Sequence, residues 1–116
     1  MAVRLVINMH SKPGMARQFA EAWSPHYDEV NAEDGCIQYE LFTSTRNPDN
    51  LAMVEHWADR DAFEKHWALE LSRGPQPTAP FSGDWAVREV GRAGLEIYYD
   101  LQYYRWDGTV WAPTEY

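Results

Sequence analysis

The 116-residue chain carries 10 Lys and Arg against 18 Asp and Glu, a net charge of −8. That balance argues against a nucleic-acid reader, which needs a basic stripe to meet a phosphate backbone. The length suits one domain, residues 1–116, with a core that needs no cross-links. A hydrophobic share of 45% argues against disorder.

Cys36 is the single cysteine, so an internal disulfide is excluded and a reducing compartment, the cytoplasm, is the expected location. The start, "MAVRLVINMHSKPG", has neither the apolar run nor the small-residue cleavage site of a signal peptide. Nowhere does the chain approach the roughly 20 apolar residues of a membrane span. Six Trp and seven Tyr raise the aromatic share to 15%, which suits interfaces and ligand pockets as well as cores.

"AVRLVINMH" (2–10) reads as the first strand, with Val3, Leu5, Ile7 and Met9 on one side and Val6, Asn8 and His10 on the other. "SKPG" follows as punctuation, with Ser11 an expected N-cap and Pro13 in a first helical turn. From about 14 to 32, Met15, Phe19, Ala22, Trp23, His26, Tyr27 and Val30 recur every three or four residues, which predicts an amphipathic helix. Pro25 lies inside that pattern and predicts a kink or break. Gly35 is the expected stop.

Residues 36–44 form the next predicted strand, with Ile37, Tyr39, Leu41 and Thr43 on one face. "TRNPDN" (45–50) is a turn by composition and makes a hairpin with "LAMVEHW" (51–57). In that third strand Leu51, Met53, Glu55 and Trp57 share a face, and Ala52, Val54 and His56 the other. The period then changes: Phe63, Trp67 and Leu71 fall four apart in a second helix over 58–74, with Asp59 or Asp61 as its cap. A proline-rich loop (74–83) follows, and "DWAVREV" (84–90) fits either a short helix or an extended piece. "LEIYYDLQYYRW" (95–106) reads as one strand with aromatics on both faces, and 107–116 as a turn and tail beyond a core of about 2–106.

The order β-α-β-β-α-β predicts an α+β, ferredoxin-like split βαβ sandwich, an antiparallel sheet with both helices on one face. Apolar residues on the uncovered face would need a second copy to bury them, so a homodimer is expected.

The chain resembles the antibiotic biosynthesis monooxygenase (ABM) domain family on "KPG" (12–14), Phe19, "EDGCIQYEL" (33–41), "NPDN" (47–50), "VEHW" (54–57) and "DAFEKH" (61–66). The likeness runs from about residue 3 to 71. It implies a dimeric α/β barrel and, among the activities of the family, oxygenation of a phenolic, quinol or polyketide-like aromatic substrate by O2 without metal or flavin. That chemistry is sound: a deprotonated hydroquinone or anthrone is electron-rich enough to reduce O2, so the protein has only to bind the ring and manage a proton. Heme degraders of the family place a His further along the second helix, where this chain has "RGPQPT".

The resemblance puts His66 at the family's helical His, as a base or donor, and Asn8 on the first strand as a hydrogen-bond partner for a substrate oxygen. The same residues equally suit a core-edge imidazole and a bonded strand amide. Trp57, from the family's "E.W" motif, is an expected pocket wall with Tyr39, Trp67, Trp23 and Tyr27, or else ordinary packing. Glu55 is an orienting partner for His66 or a cross-strand carboxylate. His10, His26, His56 and His66 lack metal-ligand spacing, so no metal is expected. The function expected is a cofactor-independent monooxygenase. The alternatives are an isomerase or cyclase using the same pocket without O2, and a non-catalytic binding or accessory dimer.

Overall fold

The computed structural model describes residues 2–84 and 93–115. Strand β1 (Val3–His10) leads to helix α1 (Ala16–Asn31), the hairpin of β2 (Cys36–Thr43) and β3 (Asn50–Trp57), helix α2 (Arg60–Ser72) and strand β4 (Gly94–Tyr99). These four strands form one antiparallel sheet in the order β2-β3-β1-β4, the ferredoxin-like order. Two short strands, β5 (Tyr103–Trp106) and β6 (Trp111–Thr114), make a separate hairpin.

Register decides which residues meet. Val3, Leu5 and Ile7 pair with Trp57, Glu55 and Met53, and Tyr39 and Leu41 pair with Glu55 and Met53. Side chains alternate across a strand, so these residues share one face. That face packs on Val30 of α1 and Phe63 of α2, with Trp23 and Ala62 at its border. The opposite face carries Arg4, Val6 and Asn8 beside Ala52, Val54 and His56, and Gln38, Glu40 and Glu96 as well. It is therefore more polar than an uninterrupted apolar face, and Tyr103 of β5 already lies against His56 there.

Local outcomes differ from expectation at several points. Ser11 caps no helix: it is drawn into a bridge with Ser82, and its Oγ donates to Asp49 and to the Lys12 carbonyl. Met15 starts α1 with no side-chain cap. Pro25 does not end α1, which runs through it; on an exposed position, water can satisfy the carbonyl that loses its partner. Asp59, and not Asp61, caps α2, its Oδ1 accepting from the Ala62 N–H at 2.8 Å. The run 95–106 is two strands in two sheets, split where Asp100 takes φ 58, and the tail forms β6. Alternation cannot register such a break, since Tyr and Leu continue through it. Of "DWAVREV", residues 85–90 lie outside the described residues.

Gly35 fixes how α2 meets the hairpin. Its φ is +79°, and a Cβ there would stand 2.5 Å from the Ala62 Cβ. Both the left-handed backbone and the contact demand glycine. Gly35→Ala is expected to lower stability in urea by about 2–3 kcal/mol; a loss below about 0.5 kcal/mol would mean that the helix does not press on this turn.

Candidate active site

The helix-facing ends of β2 and β3 bring Tyr39, Glu55 and Trp57 against His66 of α2. His66 is 2% exposed and Glu55 3%. The imidazole stacks on the Trp57 indole, centroids 4.4 Å apart at 26°, and meets Tyr39 edge-on at 5.8 Å. Tyr39 stacks in turn on Trp23 at 5.6 Å. Three aromatic rings, Trp57, Tyr39 and Trp23, thus line one end of the sheet–helix seam around the imidazole.

Inside this shell His66 lies between carboxylates. Nδ1 is 3.1 Å from Glu33 Oε2 and 3.3 Å from its Oε1. Nε2 is 3.4 Å from Glu55 Oε1 and 4.0 Å from Glu70 Oε1. Glu55 Oε1 also accepts from Trp57 Nε1 at 3.0 Å. Arg73, just past α2, pairs with Glu70, with Glu29 at 3.3 Å and with Glu33 at 3.7 Å. At the rim, where Glu33 and Glu70 keep about 15% and 14% of their side chains in water, Arg73 thus sets one positive charge against three carboxylates.

Burial pushes the Glu55 carboxyl up from 4.5 to about 7; the Trp57 N–H opposes this, and the charges on Glu70 and Glu33 add to it. Burial also raises the Tyr39 hydroxyl well above its ordinary value, helped by Glu55 and Glu70 and opposed by the Trp23 N–H. That N–H is buried and reaches no acceptor in hydrogen-bonding geometry among the described residues. Cys36, raised to about 11 by burial and by Glu33 and Glu55, remains a thiol. Among the described residues no group of three or more His, Cys, Asp or Glu is placed to hold a metal ion.

The structure brings together His66, Glu55, Trp57, Tyr39 and Trp23. It does not bring in Asn8, which pairs with Ala52 and Gly94 and so lies on the opposite face of the sheet. Trp67 and Tyr27 stand at the outside of the seam, 42% and 43% exposed, in contact with Phe63 and Trp23 respectively. Sequence reasoning missed Glu33, Glu70 and Arg73. The acidic "AEDG" turn and the one cation at the end of α2 were the available signals.

Among the described residues, cavities also lie away from this cluster. One, of about 420 Å³, is lined by polar residues including His10, Ser11, Asp49 and Asn50 at the far end of β1. Another, of about 290 Å³, is apolar and lies between α1 and the hairpin, lined by Ala16, Ala20, Leu41 and Leu51. Neither is lined by His66.

The sequence profile of the antibiotic biosynthesis monooxygenase family matches residues 2–73, more than half of the chain and every member of the cluster. The chain belongs to the antibiotic biosynthesis monooxygenase family. Solved structures agree on the ABM fold. A Deinococcus radiodurans protein named as a candidate antibiotic biosynthesis monooxygenase superposes with a TM-score of 0.70 at 16% identity, covering 93% of this chain and 100% of its own. A conserved Methanosarcina mazei protein gives 0.68 at 23% identity over 84% and 91%. PA3566 of Pseudomonas aeruginosa gives 0.63 at 23% over 86% and 94%. Identities this low establish fold alone. No curated protein matches the chain. No helix among the described residues is long and apolar enough to cross a membrane.

The raised Glu55 carboxyl has a direct consequence for stability. The folded chain holds a proton up to about pH 7 that the unfolded chain releases near 4.5. Its stabilising effect is complete below pH 4.5 and lost as pH rises through 7. Glu55→Gln, which keeps an acceptor for Trp57, is expected to match wild type near pH 4 and exceed it by about 3 kcal/mol at pH 8 in urea unfolding. A difference that does not change with pH would contradict the shift.

Proposed function

We propose that this chain is a monooxygenase acting on a phenolic, quinol or polyketide-like aromatic compound, with O2 as oxidant and no resident metal or flavin. The observation that carries this reading is the buried His66–Glu55 pair, with a carboxyl poised near neutrality, inside an aromatic seam. A group that must take a phenolic proton works best when its pKa lies near the working pH. The unfilled Trp23 N–H supplies a donor for a substrate oxygen.

The chemistry divides simply. The substrate O–H loses its proton to the His66–Glu55 pair, and the electron pair stays on oxygen. The electron-rich ring then reduces O2. At an anthrone-like methylene one oxygen atom becomes the new carbonyl and the other leaves as water with the two hydrogens. Trp57 and Tyr39 hold the ring, and Trp23 and the outer Tyr27 and Trp67 flank its approach. Asn8, across the sheet, has no part in this arrangement.

The closure of the seam favours a second reading, a non-catalytic accessory protein in which His66 and its carboxylates are a structural cluster. Aerobic assay of metal-free protein on anthrones and quinols separates the two. The monooxygenase reading expects oxygen-dependent turnover, and His66→Ala is expected to lower kcat by about 100-fold. Absence of turnover supports the accessory reading, and turnover left unchanged in the variant would remove His66 from the reaction. Equal rates with and without O2 would identify an isomerase or cyclase.

The working unit we propose is a homodimer. Tyr98 and Phe42 stay exposed on the sheet face away from the helices, and Trp111 on the β5–β6 hairpin is 66% exposed. Exposed aromatics of this size are suited to burial against a second copy. Sedimentation is expected to give twice the chain mass of 13.5 kDa; a monomer at micromolar concentration would refute the dimer.

A further inference from the structure

Glu33, His66 and Glu55 stand in line from rim to core. Glu33 touches Nδ1, Glu55 approaches Nε2, and only Glu33 has appreciable contact with water. An imidazole offers two nitrogens on opposite edges, so one edge can gain a proton as the other loses one. We propose that these three groups form a proton relay, in which His66 passes the proton taken at Glu55 to Glu33 and Glu33 delivers it to solvent. This rests on the reading of the seam as a proton-abstracting site and assigns Glu33 the role of outlet.

The steps balance without a further reactant. The substrate O–H breaks, its electron pair stays on oxygen and the proton goes to the Glu55 carboxylate. Glu55 gives that proton to Nε2 while Nδ1–H transfers to Glu33, which then releases a proton to water; after oxygenation the reverse transfer returns a proton to the product oxygen and restores Nδ1–H. The surroundings suit this direction. Trp57 N–H on Glu55 keeps that carboxylate oriented toward the ring, and its indole plane stops the imidazole from turning. Tyr39 covers the ring edge from β2. Glu70, on the same helix as His66, and Arg73 complete the charges around the relay; Arg73 bridges Glu70 and Glu33, holding the outlet on Nδ1. Glu55 is 3% exposed against 15% for the Glu33 side chain, so with substrate seated against Glu55 the way to water runs through the imidazole.

Glu33→Gln tests this. Gln still accepts the Nδ1–H bond but takes no proton, so a purely orienting role would survive the change. Water exchange of the His66 ring N–H protons, followed by NMR in the ligand-free protein, is expected to slow by about fivefold or more in Glu33→Gln. A loosened structural contact would make it faster. In turnover, kcat is expected to fall about tenfold with KM within twofold, and added formate or acetate to restore part of the rate. Unchanged or faster exchange overturns the relay. If no substrate is turned over at all, the exchange measurement still decides the relay, and the failure belongs to the proposed activity.

Discussion

Everything at the seam follows from the cost of placing ionisable groups where water cannot reach them. An isolated carboxylate or imidazolium in that interior would lose several kcal/mol of hydration. Glu55 is tolerated because Trp57 donates to it and because its carboxyl keeps a proton up to about pH 7, while Glu33, Glu70 and Arg73 hold the charged groups at the rim. The same arrangement leaves the Glu55 carboxyl near neutrality. Protein stability and proton chemistry are therefore set by one cluster.

The fold supplies this cluster from three directions. Antiparallel register places Tyr39 directly opposite Glu55, and alternation puts Trp57 on the same face. The tight turn at Gly35 lets Ala62 close in, which seats α2 so that His66 lies on Trp57. Glu33 precedes that turn, at the end of α1, and so meets His66 across a long sequence gap but a short distance. Loosening any of these contacts would open the cluster to water and return its carboxyls toward ordinary behaviour.

Much of this was legible in the residues. Period-two alternation placed Leu51, Met53, Glu55 and Trp57 together, and helical spacing set His66 beside Phe63. Alternation also separated Asn8 from Leu5 and Ile7; only the pairing of β1 with β3 shows that this puts Asn8 across the sheet from His66. Helical periodicity ranked Trp67 and Tyr27 with the core because it reports a stripe and not its edges. The three rim residues escaped notice because Glu33 and Arg73 lie in turns, where no period applies, and Glu70 reads as one more solvated helix charge. The split at Asp100 needed a backbone angle that no pattern of apolar residues encodes.

Stability and proton chemistry alike turn on Glu55 carrying its proton near neutral pH inside the folded chain. Carbon-13 NMR titration of the Glu55 carboxyl reads that directly. A midpoint near 7 is the predicted result. A midpoint at the ordinary value of 4.5 would contradict it and reduce the cluster to a set of surface-like ion pairs.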